Sequence, residues 1–283
     1  SLRQLRLEVR QDAAYALGTG AIDRNGPLAA RFCGALPFAL TSAQQRVLQE
    51  TYADLARPTP MMRLVQGDVG SGKTVVAALA ALRAVEAGHQ AVLMAPTELL
   101  AEQHHANFEK WFRPLGLPVA FLAGKLTGKA HAKAVEAIAG GEVPMVVGTH
   151  ALFQEGVSFA RLALVVIDEQ HRFGVAQRAA LQSKTRNGIL PHILLMTATP
   201  IPRTVAITVF GDLDVSTLAE LPQGRAPITT HVVPSVERPD LLARVWSRIR
   251  EEVEAGRQVY IVAPRIGDGQ SGTSDEELDD TDG

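Results

Sequence analysis

The stretch MRLVQGDVGSGKTVVAALAALRA, residues 62–84, narrows the choice of fold more than any other part of the chain. A short apolar run leads into GDVGSGKT, and an alanine- and leucine-rich helical pattern follows. This order places G-x-x-x-x-G-K-[ST] between a strand and a helix, the context in which glycines let backbone N–H groups converge on phosphates. The helix N-terminus adds positive potential at the same point. In such a loop Gly67, Asp68, Val69, Gly70, Ser71 and Gly72 wrap the phosphates and Lys73 reaches the β and γ groups. The Thr74 hydroxyl takes a Mg2+ position. A glycine-rich turn matching by chance would need both flanking elements by coincidence.

The rest of the chain repeats the strand-then-helix pattern. MRLVQ, AVLMA, MVVG, LVVID and ILLMT are apolar runs, each followed by a polar or glycine-containing turn and a helical pattern. Such alternation predicts an α/β fold with a doubly wound parallel sheet. The run LVVID has no polar alternation, as in a strand buried on both faces, and it drives straight into Asp168 and Glu169. Open parallel sheets bind ligands at the carboxyl ends of their strands, so this acidic pair falls where chemistry is done. An acidic pair that merely caps the next helix is the competing reading. The phosphate loop decides between them. A nucleotide site needs a carboxylate on Mg2+, for which Asp168 is the candidate, and a second group to orient the attacking water, for which Glu169 is the candidate.

Lysine plus arginine at 28 against aspartate plus glutamate at 30 leaves a net charge of -2, so any nucleic-acid binding must be local. The single Cys33 rules out an internal disulfide and fits a reducing cytosol. No apolar run approaches the roughly 20 residues that span a bilayer, and no secretory leader opens the chain, so no membrane partner is expected. A helical pattern (LRQLRLEVRQDAAYAL) opens the chain and a Gly-, Asn- and Pro-containing connector follows, ending at LPFALT. A helix is expected from Thr41 to about Arg57. A late helix over about 238–255 precedes another apolar run, QVYIVAP, read as a buried strand. The last residues, IGDGQSGTSDEELDDTDG, have the composition of a disordered acidic tail. Lys125, Lys129 and Lys133 recur at four-residue spacing and read as a solvated helix face before a DNA stripe. Phe108, Trp111 and Phe112 read as core packing.

The lysine of GDVGSGKT, followed about ninety-five residues later by D-E-x-H and then by T-A-T, resembles the superfamily-two helicases. LPFALTSAQ, LVQGDVGSGKT, APTELLAEQH, VVGTHALFQ, DEQHRFGVAQR and MTATPIPRT together resemble the RecG family of bacterial branched-DNA helicases and translocases, over residues 36 to 229 and more weakly to about 265. The resemblance implies a P-loop NTPase with a RecA-like helicase lobe, ATP and Mg2+ as cofactors, and branched DNA as partner in recombination and repair. The location it implies is the bacterial cytoplasm, at the nucleoid. It implies a helical connector over 1–36, the ATP-binding lobe over 37–232, and a linker helix with the first strand of a truncated second lobe over 233–265. The acidic tail then covers 266–283.

The resemblance also implies roles for single residues. Gln44 would recognise adenine, although Thr41-Ser42-Ala43-Gln44 is also a capping-box pattern. Pro96, Thr97 and Glu98, with Gly148, Thr149 and His150, correspond to segments that touch the nucleic-acid backbone, while helix capping is the plain alternative for Thr97. Gln170 and His171, with Thr197, Ala198 and Thr199, would couple the γ phosphate to movement between two lobes. The remaining histidines lack zinc spacing.

Other readings compete with this one. The transcription-repair coupling translocase shares TATPIPRT, but DEQH and LFQEGVSF favour RecG. A DEAD-box RNA helicase is disfavoured by Gln-His after the second acid. The chain alone is also readable as a nucleotide-binding half-module. The second lobe, whose arginine fingers reach the γ phosphate, and the family's wedge domain lie outside this stretch. A P-loop kinase would need an acceptor lid, for which TATP and GTH leave little room.

Overall fold

The structure is a computed structural model that describes residues 26–57, 59–124, 128–154, 156–168, 191–199, 213–220, 229–234, 237 and 239–263. The chain divides into two compact units, Ser1–Arg225 and Ala226–Gly283. The first unit holds α1 (Pro27–Ala35), α2 (Ser42–Leu55), β1 (Met62–Gly67), α3 (Lys73–Glu86), β2 (Gln90–Met94) and α4 (Glu98–Phe112). It continues with β3 (Val119–Leu122), α5 (Lys129–Gly140), β4 (Met145–Gly148), β5 (Leu162–Asp168), β6 (His192–Thr197) and β7 (Asp214–Leu218). The seven strands form one all-parallel sheet in the order β3-β4-β2-β5-β6-β1-β7.

The sheet is buried on both faces, which is why its central strands lack polar alternation. Alternate β5 residues go to opposite sides. Leu164 and Val166 join Val75, Leu79 and Phe108 in one core, while Val165 and Ile167 join Ile138, Leu152 and Phe159 in the other. The expected doubly wound α/β sheet is therefore present. So is the aromatic packing, with Phe108 and Phe112 fully buried and Phe32 meeting Trp111 edge-on at 5.7 Å between centroids.

Within this unit two expectations need correction. The connector before LPFALT contains a helix, α1, entered through Pro27 in its first turn and anchored by buried Ala29 and Phe32. Two strands, β3 and β7, add to the five expected from the apolar runs. Both lie at sheet edges, where one neighbour suffices and a short, partly exposed sequence can pair. The expected lysine face over Lys125, Lys129 and Lys133 falls partly outside the described residues, where Lys125 lies, and α5 starts at Lys129.

In the second unit, α6 (Pro239–Glu254) matches the expected late helix. Arg244 and Arg248 bridge to Glu251, at 2.5 and 3.1 Å, along its charged side. Residues 258–263 are in neither helix nor strand, and Tyr260, Ile261 and Val262 are exposed. The expected buried strand is not formed there, because a strand needs a neighbouring ladder to satisfy its backbone and none is described beside it. The opening helical pattern over 2–17 and the acidic tail lie outside the described residues.

Candidate active site

Sheet order brings the site together. β1 ends at Gly67 and opens into the phosphate loop, β6 ends at Thr197, and β5 ends at Asp168. β6 lies between the other two, with Gln66 in register with Thr197 and Asp168 with Met196. The loop, the TAT segment and the acid thus gather at the carboxyl ends of three adjacent strands, where parallel sheets bind ligands. Glu169, Gln170 and His171 lie outside the described residues.

The loop is built for close backbone approach. Gly70 and Gly72 have φ of 83° and 89°, a region that disfavours side chains. A Cβ on Gly72 would also stand 2.2 Å from the Gln44 amide nitrogen. Asp68 Oδ1 accepts the Val69 N–H at 2.9 Å, and Ser71 N–H donates to the Asp68 carbonyl at 3.1 Å. Lys73 Nζ donates to the Gly67 and Asp68 carbonyls at 2.6 and 3.0 Å, so a phosphate would take over contacts that the loop now provides itself. Val69 is exposed, while Ser71 is buried with its Oγ lacking a hydrogen-bond partner among the described residues. A buried orphan hydroxyl beside a lysine and a helix N-terminus fits an anion-binding loop.

Thr74 and Asp168 supply a hydroxyl and a carboxylate. Among the described residues no three His, Cys, Asp or Glu side chains cluster as metal ligands. That donor set suits Mg2+, which binds through one or two carboxylates plus substrate phosphates rather than an all-protein cage.

Gln44 makes the anticipated capping box and, with the other end of its amide, a contact to the phosphate loop. Thr41 and Gln44 make the reciprocal capping box of α2, with Thr41 N–H donating to Gln44 Oε1 at 2.9 Å. The other end of the amide, Nε2, donates to the Ser71 carbonyl at 2.8 Å. The side chain is buried and ties α2 to the phosphate loop, so contact with adenine would require it to exchange a bond.

The loops expected to meet nucleic acid are placed at neighbouring strand ends. Thr97 is exposed and caps α4, accepting from Leu100 N–H at 3.3 Å, and Glu98 opens that helix. Thr149 is buried and caps the short 3-10 turn His150–Phe153. Pro96 is partly buried and His150 is exposed. Gly148 has a packing reason to be glycine, since a Cβ there would meet the Leu122 carbonyl oxygen at 1.9 Å. Gly148→Ala is therefore expected to push β3 away from β4 and cost roughly 1–3 kcal/mol in a denaturant melt. Thr197 is buried, and its Oγ1 accepts from Thr199 N–H at 3.2 Å and pairs with Thr199 Oγ1 at 3.0 Å, which locks the turn through Ala198.

Sequence reasoning does not single out one close neighbour of the site. His104 Nε2 lies 2.7 Å from Asp168 Oδ2. In the sequence it closes the stretch APTELLAEQH and stands on the otherwise apolar stripe Ala101, His104, Phe108, Phe112 of α4, neither of which points to Asp168.

Comparison with known proteins agrees with this geometry. The chain is 57% identical over 246 residues to the ATP-dependent DNA helicase RecG of Escherichia coli strain K12, covering 87% of this chain and 35% of that protein. It is 53% identical over 267 residues to RecG of Haemophilus influenzae, covering 94% of this chain and 37% of that protein. The chain thus spans little more than a third of the length of these relatives. A solved structure of RecG bound to a three-way DNA junction superposes with a TM-score of 0.78 at 42% identity, over 93% of this chain and 34% of that one. The DEAD-box helicase Mss116 bound to single-stranded RNA, with a TM-score of 0.56 at 19% identity over 83% of this chain and 52% of that one, shares the fold alone. The profile of DEAD/DEAH box helicases matches residues 41–207, which run from the cap of α2 through the phosphate loop, Asp168 and the TAT segment. The chain belongs to the DEAD/DEAH box helicase family.

Proposed function

We propose that this chain is the ATP-binding motor lobe of a RecG-type DNA helicase and translocase that acts on forks and Holliday junctions in recombination and repair. The observation that carries the proposal is the convergence of the Gly67–Thr74 loop, Thr197 and Asp168 on three adjacent strand ends. The high identity to RecG proteins and the likeness to a RecG structure holding a three-way junction support DNA, rather than RNA, as the track. The motor lobe runs over 37–232, after a helical connector over 1–36. Residues 233–265 supply a linker helix and the start of a second RecA-like lobe, and 266–283 an acidic tail. Work on the chromosome places such a protein in the bacterial cytoplasm, at the nucleoid. The second lobe and a wedge domain elsewhere in the full-length protein are its working partners.

In this reading the N–H groups from Asp68 to Thr74 cradle the phosphates. Lys73 gives up its carbonyl contacts to meet the β and γ oxygens, and Gln44 reports the adenine to the same loop. Thr74 and Asp168 hold Mg2+, which when bound neutralises charge on the phosphate oxygens. Glu169 orients the attacking water and takes its proton. Gln170 and His171 sense the γ phosphate, and the locked turn at Thr197–Thr199 carries its state away from the site. Pro96–Glu98 and Gly148–His150 contact the DNA backbone, with buried Thr149 shaping its loop by capping the turn that follows it.

Arginine fingers from a partner are worth roughly 10³ to 10⁵ in rate in P-loop enzymes. The chain alone is therefore expected to bind ATP in a Lys73-dependent manner with turnover no higher than its Glu169→Gln variant, with or without fork DNA. Mg2+-dependent phosphate release, measured beside Lys73→Ala, checks this. Hydrolysis that requires Lys73 and rises with fork DNA would show that the chain assembles a complete site, and preference for RNA in competition would overturn the DNA assignment.

A further inference from the structure

His104 sits on the second turn of α4, in a stripe otherwise made of Ala101, Phe108 and Phe112. An aliphatic side chain would pack there without polar cost. The imidazole instead is about nine-tenths buried, and its Nδ1 has no hydrogen-bond partner among the described residues. A buried polar atom left unsatisfied is rare and calls for a reason. The ring's other nitrogen makes one bond, from Nε2 to Asp168 Oδ2 at 2.7 Å, across 64 positions of sequence. The side chains of both residues are largely buried, at 11% and 16% exposure, so water competes little for this bond. A carboxylate only accepts, so the histidine donates.

Resting on the nucleotide-site reading above, we infer that His104 is a positioning residue for the metal-holding carboxylate of Asp168. Asp168 is the last residue of β5, and a carboxylate at a strand end turns about two side-chain torsions. The bond from α4 to Oδ2 holds one oxygen and so fixes the plane in which the other is presented. The metal acid is thereby set by the helix that begins at the Thr97–Glu98 loop and not by its own strand alone. Outer partners of metal-ligating carboxylates commonly change metal affinity by 10- to 100-fold when removed.

The test uses this chain and a fluorescent N-methylanthraniloyl-ADP, with nucleotide affinity measured first in EDTA and then across a Mg2+ titration. His104→Ala is expected to leave the EDTA affinity unchanged and to raise the Mg2+ concentration for half effect about tenfold. His104→Gln is expected to restore the wild-type midpoint, because the glutamine Nε2 sits as many bonds from Cβ as the histidine Nε2 and also donates. Mn2+ resonance spectra of the ADP complex give a second readout, with a broadened metal signal in His104→Ala and a wild-type signal in His104→Gln. An unchanged Mg2+ midpoint in His104→Ala overturns the inference. Loss of EDTA affinity in both variants also overturns it, since the histidine would then only pack. If the wild-type chain binds the nucleotide without regard to Mg2+ or to Lys73→Ala, the nucleotide-site reading itself fails, which is a separate result.

Discussion

Arg63→Met is expected to lower the folding stability of the chain by about 3–5 kcal/mol in a denaturant melt, the usual cost of breaking one side of a buried ion pair. Arg63 lies on β1, four residues before the phosphate loop, and is 8% exposed. Its Nη2 meets Asp54 Oδ2 at 2.6 Å, and Asp54 on α2 is 3% exposed. Nη1 donates to Ser216 Oγ on β7 at 2.6 Å and lies 3.3 Å from Glu50 Oε2. The guanidinium thus ties a helix and two strands together, and its planar fork lets it reach all of them at once. Without it, the ion-pair partner left to Asp54 among the described residues is Arg57, whose side chain is 59% exposed, at 2.9 Å. An uncompensated buried carboxylate dominates the cost, so Asp54→Leu in the same chain is expected to recover most of the loss. A double variant no better than Arg63→Met would show that packing, not charge, holds this corner. Nucleotide binding is expected to weaken along with stability, because α2 also carries Gln44, whose amide holds the Ser71 carbonyl.

What could be read from the sequence divides along the range of the interactions involved. β1, β2, β4, β5 and β6 have central residues buried on both faces, so most of their residues had to be apolar and announced themselves as runs. β7 reads DVSTL and mixes exposed Asp214 and Thr217 with buried Ser216 and Leu218, because it closes an edge, and its polar residues hide it. Edge strand β3, VAFL, is only four residues long, and three of them are half-buried. α1 is hidden by the glycines and prolines around it, although Pro27 in the first turn favours a helix start. The site divides in the same way. The phosphate loop and Asp168 are local signatures, since phosphate binding and metal holding demand particular residues at particular spacing. The partnership of His104 with Asp168, the bond from Gln44 to Ser71 and the Arg63 network join residues far apart in sequence, and no spacing rule encodes them. The capping box at Thr41 is legible, yet that the same amide would brace the phosphate loop is not.

The chain is also expected to lose stability in mild acid through one histidine, His192. This residue begins β6, is fully buried, and accepts the Met61 N–H through Nδ1 at 2.9 Å. Burial pushes its pKa from 6.5 down to about 4, with the nearby His89 adding to the fall. The unfolded chain, with an ordinary histidine, takes up a proton as pH drops through 6.5, and the folded chain does not until about 4. Between those values the unfolded state binds more protons, so stability falls as pH falls. The contribution is fully present above pH 6.5 and lost by about pH 4. Its size is roughly 3 kcal/mol, because each tenfold change in a proton-binding equilibrium is worth about 1.36 kcal/mol. His192→Asn isolates this residue, because the asparagine Oδ1 can stand where Nδ1 accepts from Met61 and the amide does not titrate. Denaturant melts at pH 7, 6, 5 and 4.5 are expected to show a steep decline for the wild type and a shallower one for the variant. The carboxylates on the chain act equally in both, so the difference between the two profiles belongs to position 192. Parallel profiles would mean that the histidine is protonated in the folded chain. The consequence reaches the site, since the Met61–His192 bond pins the starts of β1 and β6 in the register that sets Gln66, the residue before the phosphate loop, beside Thr197. Loosening that bond in acid is expected to reduce nucleotide affinity before the chain unfolds as a whole.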